Sequence, residues 1–260
     1  MSGGLLLHKS THHFDVINWW LDGIPAEVFA MGGLVFYGKE NATARREEAR
    51  TKYERYTGMA EAKGDPFCLV VDENDTMKAL YHDAENESGY IRDRNVFREE
   101  INIEDTMSLL IRYRTGEVVN YSLNAFCPDE GFRASVCGDG GRIDYVEKHG
   151  SHITGEREIP TTGEEQYMRL RVQKHFSEAV EMVIPMVAGA HGGGDALIQE
   201  QMFATNPPAD VLKRNAGHEQ GAASVLIGAA ANISMQSGRL VKIAELLDLK
   251  TEAKYLHELI

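Results

Sequence analysis

One stretch near the start of the chain restricts the fold more than any other. It combines an apolar run at residues 5–7, a dense polar cluster at residues 8–13, and a helical pattern behind them. The apolar run is typical of a buried strand. The helical pattern comes from three apolar residues that recur at the spacing of one helix face, Phe14, Ile17 and Leu21. The stretch therefore predicts a strand that turns into an amphipathic helix, with the polar cluster at the turn.

The two ends of this helix carry their own signals. Ser10 or Thr11 is suited to cap its start, because a hydroxyl there accepts a hydrogen bond from a backbone N–H that has no helical partner. Gly23 and Pro25 are suited to end it, since glycine adopts the left-handed conformation freely and proline cannot continue a helix. The helix is therefore predicted to lie between the polar cluster and Gly23.

His12 falls in the first turn of this predicted helix. The positive end of the helix dipole disfavours an imidazolium ion, so we expect a neutral ring near pH 7. A neutral imidazole can accept a proton, which makes His12 a candidate general base. His8 shares its face only if the helix begins early; otherwise it lies on the incoming strand and meets His12 at the junction. The alternative is that both rings only bind loop carbonyls.

The same cluster contains Lys9 and His13, which we take as candidate substrate-binding residues, since functional groups concentrate in such junctions. A second candidate segment is the polar and aromatic run at residues 82–94, which predicts a long ordered loop. Loops of this kind are uncommon unless they are functional, so Tyr90 and Arg92 are further candidates. A solvated charged loop is the alternative for that run.

A third candidate segment is the glycine-rich run at residues 189–195. Asp195 is suited to cap the helix that follows, and three glycines allow backbone to approach whatever His191 faces. Helix N-termini bind anionic or polyhydroxyl groups through their free N–H donors. His191 and Asp195 are therefore candidate substrate-binding residues, with a flexible turn and a solvent-facing histidine as the alternative.

Composition excludes several classes of function. The 260 residues are 43% hydrophobic and 26% charged, which is ordinary for a globular protein. A net charge of −13 argues against nucleic acid and anionic membranes as partners. Three scattered cysteines indicate a reducing compartment, for which we expect the cytoplasm, and no disulfide framework or zinc knuckle. No apolar run approaches the length of a membrane span.

The remaining chain alternates between strand and helix signals. Apolar and polar residues alternate on both sides of Thr115-Gly116 and of the run 138–141, which predicts two antiparallel hairpins. A small-residue helix at 219–236 follows, then helical segments at 241–247 and 251–259. The pattern predicts an α+β fold with an open, mainly antiparallel sheet and helices on one face. The other face, if apolar, would need a partner subunit.

The motifs resemble a known family. Residues 4–28 read GLLLHKSTHHFDVINWWLDGIPAEV and are similar to the start of the C-terminal domain of the glucose–fructose oxidoreductase / inositol dehydrogenase (Gfo/Idh/MocA) family. Members commonly show G-G-x-L-x-D-x-G-x-H-x-x-D in a helix that ends in W-L-x-G-x-P. The segment 191–195 and the stretch 221–247 also resemble that family's final third. The likeness runs from about Gly3 to Leu249.

The resemblance implies one half of a two-domain NAD(P)-dependent oxidoreductase that acts on a sugar, a sugar derivative or a cyclitol. This half would be a single substrate-binding and oligomerisation domain, residues 1–260, with a dihydrodipicolinate-reductase-like open sheet that carries the oligomer interface. His12 falls on the family's catalytic histidine. His8 falls where many members have an aspartate, and a histidine there could relay protons or bind a sugar hydroxyl, so we assign it with His12.

The sequence also departs from the family by what it lacks. No Rossmann fingerprint and no E-K-P-type lysine segment occur. The run that begins at Gly138 is not such a fingerprint, because the third glycine of the G-x-G-x-x-G pattern is missing and a strand, not a helix, follows. We therefore expect the N-terminal nucleotide-binding domain, which belongs before Met1, to be missing. Cofactor-binding residues cannot be assigned, and the chain alone is expected to bind no nicotinamide tightly and to be inactive in redox chemistry.

Three other functions stay open at this point. One is the NAD-assisted glycosidase activity of some members of the family. The second is a metal-dependent hydrolase or lyase that uses His8, His12 and His191, although no three ligands can be identified as a metal site from their spacing. The third is a non-catalytic carbohydrate-binding module, suggested by Trp19 and Trp20, which at helical spacing are more simply core and interface residues.

Overall fold

The computed structural model describes residues 3–62, 64–149, 167–185, 187 and 190–259. The chain divides into two compact units. The first comprises Met1–Lys63, Leu69–Phe126 and Asp210–Ile260, and the second comprises Gly64–Cys68 and Cys127–Ala209.

Both units contain helices. In chain order they are α1 (Leu5–His8), α2 (Thr11–Leu21), α3 (Lys39–Ala44), α4 (Asp75–Met77), α5 (Glu85–Ser88), α6 (Gly194–Phe203) and α7 (His218–Ser237). A π-helical turn, Lys78–His82, continues α4, and short 3-10 turns occur at Glu48–Thr51, Ala60–Ala62, Ala190–Gly193, Ile243–Glu245 and Leu256–Leu259. None of the helices in the described residues is long and apolar enough to cross a membrane.

The strands are β1 (Pro25–Gly33), β2 (Thr106–Tyr113), β3 (Val118–Asn124), β4 (Gly131–Gly138), β5 (Gly141–Lys148), β6 (Tyr167–Lys174), β7 (Val180–Ile184) and β8 (Val241–Lys242). They form two four-stranded sheets, in the order β3-β2-β1-β8 in the first unit and β4-β5-β6-β7 in the second. Every strand pair within both sheets is antiparallel. The predicted α+β class with open, mainly antiparallel sheet structure is confirmed, and the strands form two sheets where the prediction had one.

The core of the first unit lies between its sheet and α7. Every second residue of β2 is buried, which places Met107, Leu109, Ile111 and Tyr113 on the covered face. α7 packs on β1, and the Ser234 hydroxyl accepts a hydrogen bond of 2.9 Å from the Ala30 backbone N–H. The helix that carries His12 adds Phe14, which is fully buried, to the same core. The sheet and α7 together therefore fix the position of α2.

The prediction of a strand at residues 5–7 is wrong, because these residues belong to helix α1. Leu6 is buried and its backbone lies directly against α7: a Cβ atom placed on Gly228 would come within 2.7 Å of the Leu6 carbonyl oxygen. Three leucines suit a buried strand and a buried helical turn equally. The contact with a helix more than 200 residues away decides between them.

Both helix-end signals of α2 act differently from the prediction. Ser10 lies at the N-cap position, but it makes no capping bond, and its hydroxyl accepts a hydrogen bond of 3.0 Å from Tyr121. At the other end the left-handed residue is Asp22, with φ of 48°, not Gly23. Asp195 likewise does not cap α6: it lies in the first turn, and Gly193 occupies the cap position.

The C-terminal prediction is partly wrong. Of the helical segment predicted at 241–247, the first two residues form β8, which pairs with β1, and only Ile243–Glu245 makes a 3-10 turn. Of the segment predicted at 251–259, Leu256–Leu259 is a 3-10 turn. The helix predicted at 219–236 is confirmed as α7.

Candidate active site

The candidate site is the turn between α1 and α2, residues 8–13, which we call the histidine turn. His8 ends α1 and His12 is the second residue of α2. The side chains of His8, Lys9 and His12 are exposed, whereas His13 is half-buried. His12 therefore lies in the first helical turn as predicted, while His8 lies on a preceding helical turn and not on a strand.

Hydrogen bonds connect the histidine turn to the sheet. The Tyr121 hydroxyl on β3 lies 2.8 Å from His13 Nδ1 and 3.0 Å from Ser10 Oγ. Ser10 is fully buried and Tyr121 nearly so. Phe14 packs edge-on against the same tyrosine ring at a centroid distance of 4.9 Å. The backbone on both sides of His12 is therefore tied to the sheet.

Burial controls the titration of these two supporting groups. The pKa of His13 is lowered, first by burial of the ring and second by the neighbouring His12. The pKa of Tyr121 is raised by burial, against a smaller opposing effect of the Ser10 hydrogen bond. His13 is therefore held in its neutral form near pH 7, and Tyr121 stays a phenol.

A second network fixes the next two turns of α2. The Tyr113 hydroxyl donates to Asn18 Oδ1 at 2.8 Å, and Asn18 Nδ2 donates to Ser224 Oγ on α7 at 3.4 Å. Ser224 Oγ also lies 3.2 Å from an oxygen of Asp15. Asn18 and Ser224 are buried, so this network links α2 to β2 and α7 away from solvent.

Sequence reasoning did not identify Ser10, Tyr121, Asn18 or Ser224 as partners of this site. The alternation in β3 placed Tyr121 on the buried face, and that was the only signal available. The partner of its hydroxyl lies 111 residues away along the chain. Contacts at such separations cannot be found from local periodicity.

Tyr90 and Arg92 lie in the same unit and contact each other. Arg92 Nη1 is 3.4 Å from the Tyr90 hydroxyl, and the guanidinium lies 4.5 Å above the ring of Tyr81. Tyr81 and Tyr90 also pack edge to face at 6.1 Å. Within the described residues, no hydrogen bond or ion pair joins this aromatic cluster to the histidine turn.

His191 and Asp195 lie in the second unit and pair with each other. His191 Nδ1 is 2.8 Å from Asp195 Oδ1, with side chains that are 84% and 46% exposed. His191 has φ of 49°, an uncommon conformation for a residue other than glycine. Gly192 and Gly193 also have positive φ, so the turn Ala190–Asp195 is left-handed over three consecutive residues.

The described parts of the chain contain no set of groups suited to bind a metal ion or a dinucleotide. No cluster of three or more His, Cys, Asp or Glu side chains there could hold a metal ion. A dinucleotide needs a glycine-rich turn between a parallel strand and a helix. Gly138 and Gly141 pair with each other at the end of the β4–β5 hairpin, in an antiparallel sheet. These residues therefore do not fit a nicotinamide cofactor.

Comparison with known proteins places this geometry in a family. The model of the oxidoreductase family C-terminal alpha/beta domain (Gfo/Idh/MocA) matches residues 1–243. The chain belongs to this family. It is 32% identical over 265 residues to YteT of Bacillus subtilis (strain 168), which is named provisionally as an oxidoreductase. The match covers 96% of the chain and 58% of YteT, so the chain spans little more than half of this relative.

Solved structures of similar proteins show the same partial coverage. A protein of Desulfitobacterium hafniense DCB-2, named provisionally as an NADPH-dependent oxidoreductase, matches 95% of this chain and 50% of its own, at 16% identity and a TM-score of 0.47. Aldose–aldose oxidoreductase of Caulobacter crescentus, in complex with glycerol, matches 90% and 45%, at 10% identity and a TM-score of 0.45.

Proposed function

We propose that the chain is the substrate-binding and proton-transferring half of an NAD(P)-dependent oxidoreductase that acts on a sugar, a sugar derivative or a cyclitol. Membership of the oxidoreductase family supports the reaction class. The single observation that carries the proposal is the placement of His12, an exposed imidazole in the first turn of a helix whose backbone is fixed from below.

In this proposal His12 is the general base. As a substrate carbon is oxidised, a ring nitrogen of His12 takes the proton of the hydroxyl on that carbon. The buried Tyr121 and Ser10 do not touch the substrate; with the half-buried His13 they hold the backbone from which His12 projects. His8, one turn earlier, accepts or donates a hydrogen bond to a neighbouring hydroxyl and assists proton transfer.

We propose six further residues, each within its own unit, as binding residues for polyhydroxyl groups. Lys9 and His13 belong to the histidine turn, Tyr90 and Arg92 to the aromatic cluster of the first unit, and His191 and Asp195 to the second unit. Each offers hydrogen-bonding groups that suit a sugar, and Tyr90 adds an exposed ring face. His13 acts through its contact with Tyr121, and its role is the most indirect of the six.

The described residues do not fit a nicotinamide cofactor, so we propose that a separate nucleotide-binding domain binds it. The chain by itself is then expected to bind no nicotinamide tightly and to catalyse no redox reaction. The measurement is a fluorescence titration of NADH and NADPH with the purified chain. Micromolar affinity for either nucleotide would contradict this part of the proposal.

Assembly and location complete the proposal. We propose a homo-oligomer formed through an open sheet face in the cytoplasm. Support for the interface comes from β7, where Val180 and Met182 are exposed large apolar residues on one face of the strand. Support for a reducing compartment comes from the three cysteines, which are odd in number and scattered along the chain without a paired spacing.

The experiment that tests the function uses the product of the complete reading frame that contains this chain. A panel of hexoses, uronates and cyclitols is assayed for reduction of NAD or NADP. Replacing His12 by asparagine is expected to lower kcat by about 100-fold or more with a small change in KM, because a general base acts in the transition state.

The matched control is His175→Asn, which removes an exposed imidazole from the second unit. This control is expected to leave kcat within about twofold of the unaltered protein. Equal activity of the His12 variant and the control would contradict the assignment of the base. Failure of every panel member to reduce either nucleotide would contradict the reaction class.

A further inference from the structure

The first unit contains a cleft that the proposed chemistry leaves unused. It lies between α2, the segment just before α7, and the C-terminal 3-10 turn, with a volume of about 230 Å³. Ligand sites for drug-sized molecules usually have roughly 300–1,000 Å³, so this cleft suits a single small ring. All of its lining residues belong to the first unit.

One wall of the cleft is the face of α2 that also carries His12. Asp15, Val16 and Trp19 line the cleft, and they follow His12 by three, four and seven residues. In an α-helix these spacings place side chains on one stripe. The cleft therefore begins within one helical turn of the candidate base and continues along the same helix.

An aromatic ring with a fixed orientation lines the cleft. Trp19 is half-buried and its indole N–H donates to the backbone carbonyl of Leu212 at 2.9 Å, which sets the orientation of the ring. Val16 and Leu256 extend the apolar lining. An apolar lining with an oriented indole is a surface on which the C–H face of a sugar ring stacks.

The lining of the cleft also includes two adjacent cations, Lys213 and Arg214. Lys213 has φ of 52°, and the turn that imposes this conformation is closed by Asp210, whose carboxylate accepts a 2.7 Å bond from the Asn215 N–H and whose carbonyl accepts a 3.1 Å bond from the Lys213 N–H. Arg214 Nε lies 3.7 Å from an Asp210 carboxylate oxygen, which is an ion-pair distance. The turn therefore presents both side chains together.

The cleft thus offers three kinds of group to one ligand. Lys213 and Arg214 suit a carboxylate, Trp19 suits the apolar face of a ring, and Asp15 accepts hydrogen bonds from hydroxyl groups. Arg214 already has Asp210 at ion-pair distance, whereas Lys213 makes no ion pair among the described residues, so a neutral sugar would leave Lys213 without a counter-charge. We infer that this cleft is a subsite for a sugar acid, a ring that carries both hydroxyl groups and a carboxylate. The inference rests on the proposed function, and it specifies the substrate class of that site.

The two tryptophans of the chain provide a direct test. Trp19 lines the cleft, whereas its neighbour Trp20 is 43% exposed and does not. In a Trp20→Phe variant the fluorescence of the chain reports on Trp19 alone. Glucuronate is expected to change this fluorescence saturably, and glucose is expected to do so at least about tenfold more weakly, because it lacks the charge-assisted bonds. The reciprocal Trp19→Phe variant is expected to give no response.

Two further variants in the Trp20→Phe background assign the response to the cations. Lys213→Gln is expected to weaken glucuronate binding about tenfold, and added salt is expected to weaken it further. The control is Lys52→Gln, an exposed lysine outside the cleft, with unchanged affinity expected.

Three outcomes would overturn the inference: equal affinity for glucose and glucuronate, an unchanged affinity in Lys213→Gln, or no saturable response. These measurements involve no nicotinamide. They can fail while the complete reading frame still oxidises a neutral sugar, and they can succeed where no oxidation is found. The result for the cleft is therefore separate from the result for the proposed function.

Discussion

Two turns of this molecule present exposed histidines, and they differ in what supports them. The histidine turn at residues 8–13 is fixed by Phe14 and Ser10, both fully buried, and by the hydroxyl of Tyr121. The turn Ala190–Asp195 in the second unit is followed by α6, which has no buried residue. Its one described side-chain contact is the exposed pair His191–Asp195.

This difference separates two kinds of contribution to a site. A proton transfer needs its base held within a fraction of an ångström of the productive position, which a buried support provides. A contact that only binds substrate tolerates more movement. The comparison therefore favours His12 over His191 as the proposed base.

The largest expected effect comes from the apolar support. Phe14→Ala should lower the free energy of unfolding by about 3–5 kcal/mol, because it empties a fully buried aromatic site. Leu197→Ala on α6, where the leucine is 51% exposed, should change it by about 0.5 kcal/mol or less. Denaturant titrations measure both. Similar losses of unfolding free energy in the two variants would contradict the difference in support between the two turns.

A smaller effect is expected where α1 meets α7. Gly228→Ala places a methyl group within 2.7 Å of a backbone oxygen, whereas Gly221→Ala on the same helix meets no atom within 4 Å. Both changes gain the same helix propensity, so their difference isolates the clash. Gly228→Ala should be less stable than Gly221→Ala by about 1–3 kcal/mol. Equal thermal midpoints would show that α1 does not pack as described.

The polar support is expected to contribute less. Tyr121→Phe removes the hydroxyl that contacts both Ser10 and His13, and it should cost about 1–2 kcal/mol because the buried Ser10 loses its partner. Tyr90→Phe removes an exposed hydroxyl and should cost about 0.5 kcal/mol or less. Chemical denaturation measures both changes. An unchanged free energy of unfolding in Tyr121→Phe would show that the hydroxyl does not stabilise the turn.

The smallest effect concerns pH. Burial lowers the pKa of His13 in the folded chain, so below the ordinary histidine pKa of about 6.5 the unfolded chain binds more protons. As far as His13 is concerned, the free energy of unfolding is therefore highest above pH 7. It decreases as the pH falls through 6.5 toward the pKa of His13 in the folded chain. His13→Gln should flatten the decline in unfolding free energy over this range, and His175→Gln should not. A decline that is identical in both variants would contradict the sign.

The sequence predicted those parts of the fold that depend on local pattern. Alternation around Thr115-Gly116 and around residues 138–141 located two hairpins whose strands pair as expected. The helical position of His12 also followed from local spacing. The family motif added the expectation that this histidine is catalytic, and the structure leaves that expectation to be tested.

Features that depend on distant contacts were not predictable. The leucines at 5–7 form a helix because Gly228 admits their backbone, and Ser10 faces Tyr121 instead of capping α2. Asp22 replaces Gly23 as the left-handed residue, and its carboxylate accepts a bond of 3.0 Å from the His257 backbone N–H. Each outcome is set by a partner more than 100 residues away, which periodicity does not record.

The central claim is that substrate meets the chain at His12. The direct measurement is a titration of the purified chain, labelled on histidine, with glucose, glucuronate and myo-inositol, followed by NMR of the ring Cε1–H signals and assigned with His8→Gln and His12→Gln. The account predicts a saturable shift of the His12 signal, and a smaller one of His8, with at least one of these ligands. Saturable binding that leaves the His12 signal unchanged, or no binding of any of the three, would contradict it.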